Sequence, residues 1–223
     1  MEYLGTTHPF LADVLPVDFR AEVFDLVETA WPAIKDPMGA WLEPRITGLL
    51  RLAMIQAQEA HYSDDPPFFI LEEVKKRDPL TGKETERSDV EIHLRHFYIQ
   101  GQKPFFVFES KRLNVPYAGS VSTNANEYVG GGGMGCLVNG QYQSAPSFSG
   151  MLGYVMDGNV TAARAAIDSV LPAKAVTLSL NSPHAVQAAK LIPTGKYRGE
   201  TRHQSSAGEY AIFHLFLPLR NSA

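Results

Sequence analysis

The sequence has one cysteine, Cys136, in 223 residues. A lone thiol excludes an internal disulfide and points to a reducing compartment, so a cytoplasmic location is expected. Long apolar runs are missing too. None approaches the roughly 20 residues needed to cross a bilayer, and no membrane partner is expected. Residues Met1 to Phe10 carry no basic stretch followed by an apolar run, so no signal peptide is expected. Basic excess is also absent: 20 lysines and arginines stand against 24 acids, a net charge of −4. This argues against a protein that coats nucleic acid by charge alone. It leaves room for a site that works on phosphates, because an acidic metal site adds negative charge of its own. A local basic rim can still guide a phosphate backbone. There are no internal repeats and no heptads, which excludes solenoids and coiled coils.

What is present suffices for a core. The apolar share of 44% and charged share of 20% are those of globular proteins that fold without staples. The length fits a single domain over residues 1–223, with a core at about 40–172 and a C-terminal extension at 173–223. A first helix is expected from Phe19 to Trp31, ended by Pro32 and Pro37. A second opens at Glu43, with Pro44 in the first turn where proline is tolerated. Ile46, Leu49, Leu50, Ala53, Met54 and Ala57 then follow the spacing of a helix packed on a core. Strands are expected at Phe68 to Val74, at Ser88 to Tyr98 and through the run Phe105 to Phe108. In the second strand, Val90, Ile92 and Leu94 alternate with Asp89, Glu91 and His93, which reads as half-buried. The third is apolar on both faces and belongs inside a sheet. A helical stretch from Ser122 to Val129, a strand at Met151 to Met156, a helix from Val160 to Leu171 capped by Asn159, a helix at Ala185 to Ile192 and a closing strand at Tyr210 to Leu219 complete an α/β chain with a mixed sheet.

The residues that could carry chemistry are Asp89 and the triplet Glu109-Ser110-Lys111. Hydrolysing a phosphodiester at neutral pH calls for a hard cation to polarise the phosphate and activate water. Magnesium takes a few oxygen ligands and keeps waters for the rest, so carboxylates from neighbouring strands can supply it. Glu109 and Lys111 are two apart and share a strand face. The ammonium can act there as a base if its pKa is lowered, or as a stabiliser of charge if it is not. Asp89 opens the preceding strand, and a hairpin would bring it near Glu109.

An Asp at the start of a strand, followed by an apolar strand ending Glu-x-Lys, resembles the PD-(D/E)XK nucleases. The resemblance covers about Glu43 to Leu171. It implies a restriction-endonuclease-like core, a mixed β-sheet flanked by helices. It implies metal ligation by Asp89, Glu109 and the Ser110 backbone carbonyl, with Lys111 as the catalytic lysine and magnesium, or manganese in its place, as the cofactor. The glutamate that the family often adds from the helix before the sheet falls on Glu43, whose phase matches Ile46, Leu50, Ala53 and Ala57; Glu59 lies off that face. Ser88 stands where the family usually has proline. DNA as the substrate, and a role in defence against foreign DNA, come from the resemblance alone. With no reading module in view, a homo-oligomer or a partner protein is expected to supply affinity.

Other readings stay open. Asp89, Glu109 and Lys111 could be a solvated edge of charge. A second Glu-x-Lys, Glu73-Val74-Lys75, has only Asp64 and Asp65 upstream and no strand between. The chain could also be a binding or assembly subunit that kept the fold without catalysis. The glycine-rich Gly130 to Gly135 lacks the Gly-Lys-Ser/Thr ending of a phosphate loop and reads as a connection or close packing point. It leaves a third reading, a small-molecule enzyme, standing. His93 could contact substrate or be held at the sheet, while His96 and His214 read as structural. Lys196, Arg198, Arg202 and His203 could hold a phosphate backbone or form a solvated face. Cys136 reads as a core residue.

Overall fold

The computed structural model describes residues 17–34, 41–62, 66–77, 84–95, 106–139, 148–190, 192, 195, 197–205 and 208–219. Helix α1 spans Val17–Ala30 and runs into a 3-10 turn, Trp31–Ala33, where Pro32 ends the α-helical ladder. Helix α2 spans Glu43–Tyr62, opening at the expected residue with Pro44 in its first turn. Its buried stripe includes Ile46, Leu50, Ala53 and Met54, with Thr47 and Gln58 as polar members. Gln58 repays its burial by donating to the Phe68 carbonyl at 3.0 Å and accepting from the Phe68 N–H at 3.2 Å, which docks the end of α2 on the next strand.

Strands β1 (Phe68–Arg77), β2 (Glu84–Leu94) and β3 (Phe106–Leu113) are consecutive and antiparallel. A small hairpin, β4 (Val115–Tyr117) and β5 (Ser120–Ser122), leaves the end of β3. Two short helices follow, α3 (Ala125–Val129) and α4 (Met134–Val138). Strand β6 (Phe148–Val155) lies parallel to β3, and helix α5 (Val160–Lys174) leads on toward β7 (Arg198–Ser205) and β8 (Gly208–Pro218). The described residues thus form a six-stranded mixed sheet in the order β1-β2-β3-β6-β8-β7. Strands β7 and β8, from the stretch expected as an extension, lie in this same sheet: β8 runs parallel to β6 and carries β7 as its edge.

Side chains alternate along the central strands and divide the core in two. Phe106 and Phe108 of β3, Leu152 and Tyr154 of β6, and Phe213, Leu215 and Leu217 of β8 pack with α1 and α2. Val107, Met151, Val155, Ile212 and Phe216 pack with α3, α4 and α5. The aromatic centre of the first layer is Phe24, whose ring meets those of Phe106, Phe108 and Phe213 at 5.5–5.8 Å, edge to face.

Several expectations need correction. Strand β2 is not half-buried: Glu91 and His93 are buried as Ile92 is, and they bond each other at 3.1 Å. It also starts earlier, at Glu84, so Asp89 lies inside it. Residues 185–192 form no helix where they are described. Gln187 exchanges backbone hydrogen bonds with Glu200 of β7 in both directions, at 2.8 and 2.9 Å, and Val186 N donates to Asp168 Oδ1 at 2.8 Å. With its polar groups partnered there, this segment gains little from helical bonds. The basic stretch expected to hold a phosphate backbone or to form a solvated face is, from Arg198 on, edge strand β7. Arg198 is buried against Asp25 and Glu28 of α1 and Arg202 pairs with Glu200 and Glu209, so these two cations are spent internally, and His203 is buried. Lys196 and His96 lie outside the described residues. Helix α3 begins only at Ala125, and Asn159 caps α5 as expected, its Oδ1 accepting from Ala162 N at 3.1 Å.

Candidate active site

Strands β2 and β3 pair only from Val90–Phe108 to Ile92–Phe106. Just past the last pair, the Asp89 side chain takes over the work of the ladder. Its Oδ2 accepts from Ser110 N at 2.7 Å and from Ser110 Oγ at 2.7 Å. The carboxylate therefore satisfies a buried backbone N–H that no strand partner reaches, and the divergence of the two strands holds it near the end of β3.

Helix α2 delivers Glu43 to the same place. Its Oε1 accepts from Lys111 Nζ at 3.0 Å, and its Oε2 from the Arg112 backbone N–H at 3.1 Å. Lys111 Nζ also donates to the Ser110 carbonyl at 2.6 Å and lies 3.9 Å from Glu109 Oε2. Burial raises the Glu43 carboxyl above the ordinary glutamate range, and the attraction of Lys111 only partly offsets it. Burial pulls the Lys111 ammonium down, but the carboxylates of Glu43, Asp89 and Glu109 outweigh it and hold the ammonium above the ordinary lysine value. Both members of the pair shift upward because the loss of hydration dominates at the acid and the surrounding charge dominates at the base.

Glu43, Asp89 and Lys111 thus meet, with the Ser110 carbonyl beside them. Glu109 enters from the side and is itself buried. The second Glu-x-Lys copy lies on β1, the sheet edge, and the side chains of Glu73 and Lys75 are outside the described residues. His93 is buried within 3.1 Å of Glu91 Oε2, which holds it at the sheet.

A cleft of about 70 Å³ opens here, lined by Glu43, Pro44, Thr47, Glu72 and Asp89. It admits a few waters or an ion, not an organic substrate, whose pockets usually exceed ~300 Å³. Its walls carry carboxylate oxygens, the donors magnesium prefers. Among the described residues, no three His, Cys, Asp or Glu side chains are grouped tightly enough to hold an ion as they stand.

The chain matches no family model, no curated protein and no solved structure.

Three participants escaped sequence reasoning. Glu72, on β1, lines the cleft and approaches α2 so closely that a Cβ on Gly48 would lie 3.1 Å from its Oε2. Thr47, one turn after Glu43, and Tyr154, in β6, place buried hydroxyls beneath the acids. Thr47 carried a faint signal, a hydroxyl in phase with the apolar stripe of α2. Tyr154 carried none, since nothing local ties β6 to α2.

The glycine-rich segment is a packing point. A Cβ on Gly133 would sit 2.2 Å from the Tyr128 carbonyl oxygen. Cys136 is buried there and donates its S–H to the Gly133 carbonyl at 2.8 Å.

Proposed function

We propose that the protein is a magnesium-dependent nuclease with a restriction-endonuclease-like core, hydrolysing phosphodiester bonds in DNA. The observation that carries this reading is the convergence of Glu43, Asp89 and Lys111, from α2, β2 and β3, beside the Ser110 carbonyl. A surface edge of unrelated charges would not half-bury them together with hydrogen bonds running between the elements.

Asp89, Glu109, Glu43 and the Ser110 carbonyl would hold the cation. When bound, magnesium would supply Lewis-acid polarisation of the phosphate and activation of the attacking water. The carboxylates around Lys111 hold it above the ordinary lysine value, and as an ammonium it would stabilise charge on the phosphate. Glu43 orients Lys111, and its second oxygen ties that arrangement to the β3 backbone through Arg112 N. A net charge of −4 gives the chain little long-range pull on DNA, so self-association or a partner protein supplies the affinity. Destruction of foreign DNA is the role that fits this reading.

The second reading is a binding or assembly subunit with the same fold and no catalysis. It draws on one observation, that the described acids form no ready group of three. One assay separates the two. The purified protein is incubated with plasmid, linear duplex, single-stranded DNA and RNA, in magnesium or in EDTA. Magnesium-dependent cleavage of DNA supports the nuclease. Binding without cleavage in any condition supports the subunit.

A further inference from the structure

Each hydroxyl has one proton to give, and beneath the candidate site three buried hydroxyls stand in a row. Ser110 is fully buried and gives its proton to Asp89 Oδ2 at 2.7 Å. Thr47 Oγ1 lies 3.1 Å from Ser110 Oγ and also donates to the Glu43 carbonyl at 3.0 Å. Tyr154 Oη lies 2.9 Å from Thr47 Oγ1. Ser110 has spent its proton on the carboxylate. With the Ser110 proton on Asp89, the single Thr47 proton is shared between the Glu43 carbonyl and Ser110 Oγ in a three-centre bond, and the Tyr154 hydroxyl donates to Thr47 Oγ1.

The far end of this row is fixed. The Tyr154 ring is fully buried and stacks on Trp31, with centroids 5.7 Å apart and planes within 3°. Trp31 in turn donates its indole N–H to the Pro218 carbonyl of β8 at 2.7 Å. The row therefore connects a rigid aromatic anchor to a carboxylate that lines the cleft.

We infer that Tyr154, Thr47 and Ser110 are positioning residues for Asp89: they commit its Oδ2 to the protein and so reserve Oδ1 for a cation in the cleft. The cation part rests on the nuclease reading, while the fixing of Asp89 does not. Hydroxyls suit this task better than charged groups. They add no charge to compete with a cation, and each polarises the next toward the anion at the end. The arrangement also explains why α2 buries a threonine one turn after Glu43.

Two measurements test it on Tyr154→Phe, Thr47→Val and Thr47→Ser, each first shown to be folded by near-ultraviolet circular dichroism. The first is amide hydrogen exchange at Ser110 by NMR, without added metal and referred to the Val107 amide on the same strand. The Ser110 N–H is held by Asp89 Oδ2, so Tyr154→Phe and Thr47→Val should speed its exchange about three- to tenfold. Thr47→Ser, which keeps the hydroxyl, should restore it. Unchanged relative exchange in both Tyr154→Phe and Thr47→Val overturns the proposal, whatever the metal result. The second is titration with Mn2+ read by electron paramagnetic resonance. The wild type should bind, and Tyr154→Phe and Thr47→Val should bind about three- to tenfold more weakly, with Thr47→Ser rescued. Equal Mn2+ affinity in all four proteins refutes the link from positioning to cation. No Mn2+ binding by the wild type refutes the nuclease reading instead, and the exchange result then decides the positioning of Asp89 by itself.

Discussion

Lys111 Nζ lies 3.0 Å from Glu43 Oε1 although the two residues are 68 positions apart in the chain. One stands at the start of a helix and the other near the end of an internal strand, so their meeting reports the packing of α2 on β3. The pair is partly buried, with side-chain exposures of 17% and 26%. A half-buried ion pair of this kind is weak evidence for stability, since each charge gives up water to form it. Its position beside Asp89 and the Ser110 carbonyl argues for a working site.

Lys111→Ala should abolish magnesium-dependent cleavage, with a loss on the order of 100-fold or more, while the protein stays folded. Asp89→Asn should do the same, because it removes the charge and keeps an oxygen that Ser110 can donate to. Asp89→Ala should also lose cleavage but cost about 1–3 kcal/mol in stability, since Ser110 would lose a buried acceptor. Glu73→Ala and Lys75→Ala, on the edge strand, should be milder. Cleavage rates and melting temperatures check these outcomes; wild-type cleavage by both Lys111→Ala and Asp89→Asn would move the site elsewhere.

Phe24→Ala should destabilise strongly. The ring is fully buried and meets Phe106, Phe108 and Phe213. Truncations of this kind cost about 3–5 kcal/mol. For a chain of this size the melting temperature should fall by about 6–20 °C. A fall of a degree or two would mean that α1 is not packed on the sheet as described.

Much of this was legible in the sequence, and the reasons are local. The apolar period of α2, the proline in its first turn and the double-sided run Phe106 to Phe108 each state their own burial. So does Asn159, whose side chain caps the helix that follows it. What could not be read depended on partners distant in the chain. Strand β7 looked like a polar, basic stretch because Arg198, Arg202 and His203 find their partners only after folding, in α1, in the strands themselves and in the segment at Leu178. Glu91 and His93 disguised β2 as half-exposed for the same reason, since two polar side chains that bond each other can be buried. The triplet Glu109-Ser110-Lys111 and Asp89 could be picked out by spacing. Their support by Thr47 and Tyr154 could not, because it crosses from α2 to β6.

The glycine-rich segment offers a test with internal controls. Gly133→Ala should destabilise, because the new Cβ would lie 2.2 Å from a backbone oxygen that cannot easily move. Gly131→Ala and Gly132→Ala should be near neutral, since nothing stands within 4 Å of either Cβ position. A phosphate-binding loop would behave differently. There all three substitutions would weaken nucleotide binding whatever their effect on melting, so isothermal titration with ATP on the three variants distinguishes the readings.

The last prediction concerns acid. His203 Nδ1 lies 2.8 Å from the Leu178 carbonyl, which can only accept, so Nδ1 carries the proton and Nε2 is an acceptor. Thr201 Oγ1, 2.8 Å away, must then donate to His203 Nε2. That hydroxyl has no second proton, so at 3.0 Å it accepts from His214 Nε2. His214 Nδ1 is left as an acceptor, and Tyr128 donates to it at 2.9 Å. The four groups form a single directed chain in which both imidazoles are neutral and satisfied. A further proton on either ring would set two donors against each other. Burial lowers His203 to about 4, against the opposing pull of the Leu178 carbonyl, and lowers His214 to about 3, with His203 and Arg164 adding to the effect. Both groups are neutral in the fold across the range where the unfolded chain takes up protons, below about 6.5. The unfolded state therefore binds more protons, and stability falls as pH drops from about 6.5 toward the folded values, by about 1.4 kcal/mol per pH unit for each histidine in the steep part. Glu43, raised by burial, works in the opposite sense, because its folded form holds a proton more readily than the unfolded one. Melting should be followed between pH 6.5 and 5, above the range of ordinary carboxylates at about 4. The wild type should lose stability across that interval, and a His203→Gln variant should lose less, since one of the two titrating groups is gone. Parallel slopes for the two proteins would show that the histidine chain is not what acid attacks.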